Sequence, residues 1–195
     1  MYLYSLNPNQ QIKMFTSPFA KISKDTERKL TFSLTYMLIL AIVVMRYFDR
    51  FLINNTTPNG ILSFEFAKTV ERSQEIVNSW STLAKIYAGL SLGFDFLFLL
   101  IYSLFIALMI HKLNERLWSK KSFHRIGELL IWAIFIAAIF DVVENTCLIK
   151  LLIGSPKLYW STIAYYFALS KFILIAFAML YIICNSLLLL FKRRS

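Results

Sequence analysis

Leu129-Leu130-Ile131-Trp132-Ala133-Ile134-Phe135-Ile136-Ala137-Ala138-Ile139-Phe140 is an unbroken apolar run, and Asp141-Val142-Val143-Glu144-Asn145 continues it without a turn residue. Residues 126–145 make up about the 20 residues that a helix needs to cross hydrocarbon, and the helix is expected to continue to residue 153. Asp141 and Glu144 are three apart, and Asp141 and Asn145 four apart, so on a helix all three share one face. Ala133 and Ala137 lead to Asp141 at intervals of four, which places small residues on that same face. Acids on one face of a membrane helix require a partner, a proton or water. The stretch therefore predicts a bundle of membrane helices with a polar interior.

Composition supports this. The chain is 58% hydrophobic, with 18 Phe and 10 Tyr, against about 45–50% apolar for a soluble domain. The excess has to be hidden in lipid. A net charge of +10 would suggest nucleic acid on a soluble protein. Here the basic residues gather at the ends of apolar runs, and no RNA- or DNA-binding motif accompanies them. They are expected to set topology and to attract anionic lipid headgroups. Cys147 and Cys184 belong to no C-x-x-C or Cys/His cluster, so no metal, redox centre or cofactor is expected. Both read as small buried apolar side chains on opposite sides of the membrane, too far apart for a disulfide.

Four spans follow, at about residues 30–53, 87–110, 126–153 and 158–191. Residues 1–29 read as a basic cytoplasmic tail with no cleavable signal, so the first span is expected to serve as its own signal. Ser23 or Asp25 is placed to cap that span, and residues 54–60, Asn-Asn-Thr-Thr-Pro-Asn-Gly, stop it. Residues 61–85 form an external amphipathic segment. Leu62, Phe66, Val70, Val77, Trp80 and Ala84 make an apolar stripe, with Glu71, Arg72, Gln74 and Glu75 mainly between them. The segment is too charged to span and should lie along the interface or cap the bundle. Glu65 is expected on its solvated face, the alternative being an acid folded into the bundle mouth. The second span carries a G-x-x-x-G at Gly89 and Gly93, which permits close helix contact, and a polar stripe of Ala88, Ser91, Asp95 and Tyr102. His111 and His124 flank a basic loop and read as headgroup-level residues rather than metal ligands. The fourth span aligns Ala164, Ala168, Lys171 and Ala178 on one face, and residues 192–195 form a short basic cytoplasmic tail.

At about 1.5 Å per residue, Asp95, Asp141, Glu144 and Lys171 fall within about 10 Å of one another in depth. Arg46 reaches a similar level from the first span. A central Asp or Lys costs about 2.5–3.5 kcal/mol to insert, so four of them facing lipid would cost on the order of 10 kcal/mol. They are therefore expected to face inward as one cluster of Asp95, Asp141, Glu144, Asn145 and Lys171, with Tyr102, Arg46 and Glu65 as further members. Three acids against Lys171 and Arg46 leave one carboxylate that is expected to keep a proton. Three functions fit such a cluster. The first is a structural or interaction role, in which the charges lock the bundle. The second is a small transport or channel component, binding a proton, cation or amine and working as an oligomer. The third is an intramembrane enzyme acting on a lipid or isoprenoid; no nucleophile–base pair or His-rich metal set accompanies it, and no catalytic residue is assigned.

Ser63-Phe64-Glu65 with Trp80, Leu92-Gly93-Phe94-Asp95-Phe96-Leu97-Phe98, Asp141-Val142-Val143-Glu144-Asn145 and Lys171-Phe172 occur in an order and spacing that resembles a family of small bacterial four-helix inner-membrane proteins. The likeness covers residues 30–191. It brings no established activity with it; it implies a bacterial inner-membrane location and directs attention to Glu65.

Orientation follows from the basic residues. Residues 1–29, the loop at 111–125 and the C-terminus together hold thirteen Lys and Arg, against seven on the opposite side. The positive-inside rule then places both termini in the cytoplasm. A topology reporter fused after Arg194 is expected to read cytoplasmic; an external signal would overturn the orientation.

Overall fold

A computed structural model describes residues 16–119, 123–155 and 157–194. The described residues are all-helical, in six helices: α1 (Lys24–Asp49), α2 (Ile61–Glu65), α3 (Val70–Ser79), α4 (Thr82–Trp118), α5 (His124–Leu152) and α6 (Leu158–Arg194). Four of them, α1, α4, α5 and α6, are long and apolar enough to cross a membrane.

Three of the starts carry a side-chain cap. Ser23 caps α1 by accepting a hydrogen bond from the Thr26 N–H at 3.1 Å, and Asp25 and Glu27 lie in the first turn, where the helix dipole favours negative charge. Thr69 caps α3 through the Arg72 N–H at 3.2 Å, and Ser81 caps α4 through the Ala84 N–H at 3.2 Å.

These caps correct the expectation of one amphipathic helix over residues 61–85. Lys68 takes a left-handed backbone conformation, φ 62°, and Trp80 is extended. The segment breaks into α2 and α3, and α4 begins at Thr82, ahead of the expected residue 87. The buried face agrees only in part. Val70, Trp80 and Ala84 are buried as expected, but Leu62 and Phe66 are exposed, and Ile61, Phe64 and Ile76 are buried in addition. Burial follows the turns rather than a single helical period, because each break resets the rotation of the chain about its axis. The first long helix likewise ends at Asp49 instead of residue 53.

The helices pack in order: α4 against α5, α5 against α6, and α1 mainly on α4. Small residues let α6 approach, since Ala164, Ala168 and Ala178 are fully buried on one face. The G-x-x-x-G motif has no such part. A methyl group on Gly93 would meet open space, and one on Gly89 only Leu152 at 3.9 Å. The pair faces away from the packed core, and the close contacts on α4 come from Ala84, Ala88 and Ser91 instead. Cys147 is buried, but Cys184 is exposed, against the expectation that both are buried. Residues 1–15 of the N-terminal tail and 120–122 of the basic loop lie outside the described residues. Phe19 folds back on the bundle, its ring 5.9 Å from that of His111.

α2 and α3 cap one end of the bundle. Asp49 Oδ1 accepts the Ile61 N–H at 2.8 Å, and Trp80 Nε1 donates to the Leu52 carbonyl at 3.0 Å. Phe64 meets the Trp80 ring edge-on at 5.4 Å. Ser73 and Ser161 share a hydrogen bond of 2.8 Å between α3 and α6. Gly60 makes the entry to α2 possible. Its φ is +58°, and a Cβ there would sit 1.9 Å from Asp49 Oδ1. Gly60→Ala is expected to cost about 1–3 kcal/mol from backbone strain alone, read as a lower melting temperature in detergent. Gly93→Ala, into open space inside α4, should not lower it, since Ala favours the helix over Gly.

Candidate functional site

One ammonium organises the site. Lys171 Nζ lies 2.6 Å from Asp141 Oδ1, 2.7 Å from Glu144 Oε2 and 3.7 Å from Glu65 Oε2. It is 4% exposed, Asp141 2% and Glu144 0%. The face shared by Asp141, Glu144 and Asn145 is the one α5 presents to its neighbours, as the three- and four-residue spacing requires.

The neighbouring helices complete the arrangement. Tyr102 of α4 donates its hydroxyl to Asp141 Oδ2 at 2.9 Å. Asn145 Nδ2 donates to Asp95 Oδ2 at 2.5 Å and, at 3.4 Å, to Asp141 Oδ1. Asp141 thus receives three donors and Asp95 one, while Glu144 meets the ammonium as an ion pair only. Both Glu144 oxygens, Glu65 Oε2, the Ser91 hydroxyl and Trp160 Nε1, all buried, have no hydrogen-bond partner among the described residues. The ammonium lies between the carboxyl groups of Asp141, Glu144 and Glu65.

Apolar layers close the cluster along the bundle axis. Leu92, Cys147, Leu148 and Ala164 belong to the core toward α2 and α3. Leu99, Ile134, Ala138 and Ala178 belong to the core toward the other end. Toward the outside of the bundle, Phe66 and Phe172, each next in sequence to a member of the ion pair, stack with centroids 5.6 Å apart.

The structure therefore brings together Asp95, Tyr102, Asp141, Glu144, Asn145 and Lys171. It adds Glu65, which is buried at 7% exposure rather than solvated. Helix periodicity left Glu65 outside because α2 was read in register with α3; the break at Lys68 turns it inward. Arg46 does not join. Its side chain is exposed and pairs with Asp49 at 3.7 Å, because the helix face that carries Arg46 turns away from α4.

A second polar group, at the opposite end, was not foreseen. Asn114 Nδ2 donates to the His124 carbonyl at 2.9 Å, and Tyr181 donates to Asn114 Oδ1 at 3.1 Å. Trp118 Nε1 donates to Asn185 Oδ1 at 2.6 Å. His124, read as a headgroup-level residue, lies 3.0 Å from Glu115 and 3.7 Å from Glu128, which sits one helical turn along. His111 is buried. A Cβ on Gly127 would fall 2.4 Å from Asn114 Cγ, so α4 and α5 approach closely here. The glycine in the first turn of α5 was the available signal.

Comparison with protein-family models, curated proteins and solved structures finds no match for this chain.

Tyr102→Phe removes one donor from a buried carboxyl group. Hydrogen bonds to charged groups are worth about 1.5–3 kcal/mol, and a destabilisation of that size is expected in detergent unfolding. A value near zero would show that the Tyr102–Asp141 contact contributes nothing.

Proposed function

We propose that this is a multi-pass protein of the bacterial inner membrane, with both termini cytoplasmic, in which the charged cluster fastens the helices into one body. The role is structural or interactive. The single observation that carries this reading is the reach of one ammonium: Lys171 on α6 touches carboxyl groups of α5 and α2. Asp141 and Asn145 of α5 extend the network to Tyr102 and Asp95 of α4. Four of the six helices therefore meet within a few bonds of one nitrogen.

Energetics favour such a fastener inside hydrocarbon. Between lipid-facing helices the apolar driving force is weak, so polar contacts and close packing hold a bundle together. A pairing that exists in only one register also selects that register. The basic loop and C-terminus offer anionic headgroups a surface at the cytoplasmic side. The excess of acids over cations gives some support to the alternative of a small proton-, cation- or amine-binding transport component working as an oligomer.

Lys171→Met tests the fastening role. It leaves buried carboxyl groups without a cation, and breaking such a pair costs about 3–5 kcal/mol. Adding Asp141→Asn should recover part of that loss, because removing both partners is less harmful than removing one. The readout is thermal unfolding and monodispersity in detergent for both single variants and the double. A Lys171→Met protein as stable as the unsubstituted one would overturn the proposal, as would a double variant with strictly additive losses.

A further inference from the structure

We infer that the cluster is also a proton-binding site: Glu144 holds a proton when Asp141 and Lys171 are ionised, and Glu65 relays protons between Glu144 and water at the face covered by α2. This rests on the cluster's being closed within the bundle, as the fastening role requires.

Two independent observations lead there. The first is the balance of groups facing Lys171 from each packed element. Glu65 comes from α2, Asp95 and Tyr102 from α4, and Asp141 and Glu144 from α5. Among the described residues, Lys171 is the one cation in ion-pair contact with these acids. With all four acids ionised, the buried group would carry three uncompensated negative charges, a state that burial strongly disfavours.

The second is the distribution of donors. Asp141 receives Lys171, Tyr102 and Asn145, so its negative charge is well supported. Both Glu144 oxygens and Glu65 Oε2 are buried and receive no hydrogen bond, and of these two acids Glu144, at 0% exposure against 7%, is the more completely removed from water. A proton on Glu144 forms one O–H bond and cancels one negative charge. Lys171 keeps its three protons throughout.

Glu65 supplies the path. Its Oε2 and that of Glu144 contact the same Nζ, at 3.7 Å and 2.7 Å, and both lack a hydrogen-bond partner, so each has an oxygen on which a proton can be carried past the shared ammonium. A proton that moves from Glu144 to Glu65 leaves the total charge of the cluster unchanged. Glu65 belongs to a helix of five residues, next to exposed Phe66 and one turn from exposed Leu62. It is the member of the cluster whose backbone lies outside the long helices. The proton donor and acceptor outside is water.

Infrared spectroscopy of the purified full-length protein tests this. At neutral pH the unsubstituted protein should show a protonated-carboxyl C=O band that shifts in D2O. Incorporation of isotope-labelled glutamate should move that band, a measurement that needs no variant. Glu144→Gln should remove it, whereas Glu65→Gln should retain it and slow its shift after transfer to D2O. Absence of the band at neutral pH would overturn the proposal. So would a band that moves with labelled aspartate only, or a D2O shift in Glu65→Gln as fast as in the unsubstituted protein. None of these failures would alter the outcome of the Lys171→Met comparison, so the two proposals fail separately.

Discussion

An ammonium buried in an apolar bundle is tolerable only where carboxylates meet it, and that requirement runs through the molecule. Lys171 is set among Ala164, Ala168 and Ala178 on the inner face of α6. Those small side chains let the helix come close enough for Asp141 and Glu144 of α5 to reach the nitrogen directly. Desolvating the charges is costly, and the cost is offset only by short contacts and further donors. Tyr102 and Asn145 supply those donors. The same requirement explains the cap. Glu65 reaches Lys171 because Gly60 turns the chain over Asp49 and starts α2, so an apparently remote turn holds part of the ion cluster in place.

The bundle divides into two apolar halves with the charges between them. At one end, Trp80, Phe64 and Ile76 seat α2 and α3 on the long helices. At the other, Asn114, Tyr181, Trp118 and Asn185 link α4 to α6, and Gly127 allows α5 to approach. α1 joins only the first of these devices, through Asp49, which accepts the Ile61 N–H at 2.8 Å. It packs mainly on α4, most of its apolar side chains are exposed, and Lys112 ties it to α4 through Thr31 at 2.9 Å. In the proposed reading, α4, α5 and α6 with their cap form the fastened body, and α1 is an attached membrane helix.

Asp95, Asp141, Glu144 and Lys171 were legible as a cluster because hydrocarbon leaves charged residues few alternatives, and helical rise fixes their depth. Asp141, Glu144 and Asn145 were legible as one face because spacing on a regular helix fixes direction. Glu65 was not. Its orientation depends on the break at Lys68, and a left-handed lysine carries no sequence signal of its own. Arg46 erred in the other sense. Its depth suited the cluster, but depth says nothing of rotation about the helix axis. Gly89 and Gly93 fit a packing motif, yet the neighbours of α4 approach on a different face.

The sequence by itself determined that the protein is helical, that four segments are long and apolar enough to cross a membrane, and that acids and a lysine lie at a common depth. Those properties depend on composition and on periods along one helix, which the order of residues states directly. The tertiary structure alone decided which charges meet, that Glu65 is inside and Arg46 outside, and that the cap breaks in two. Those outcomes depend on how helices turn toward one another and where short turns reset the chain. Rotation and turns are settled by packing across the bundle, between residues far apart in sequence.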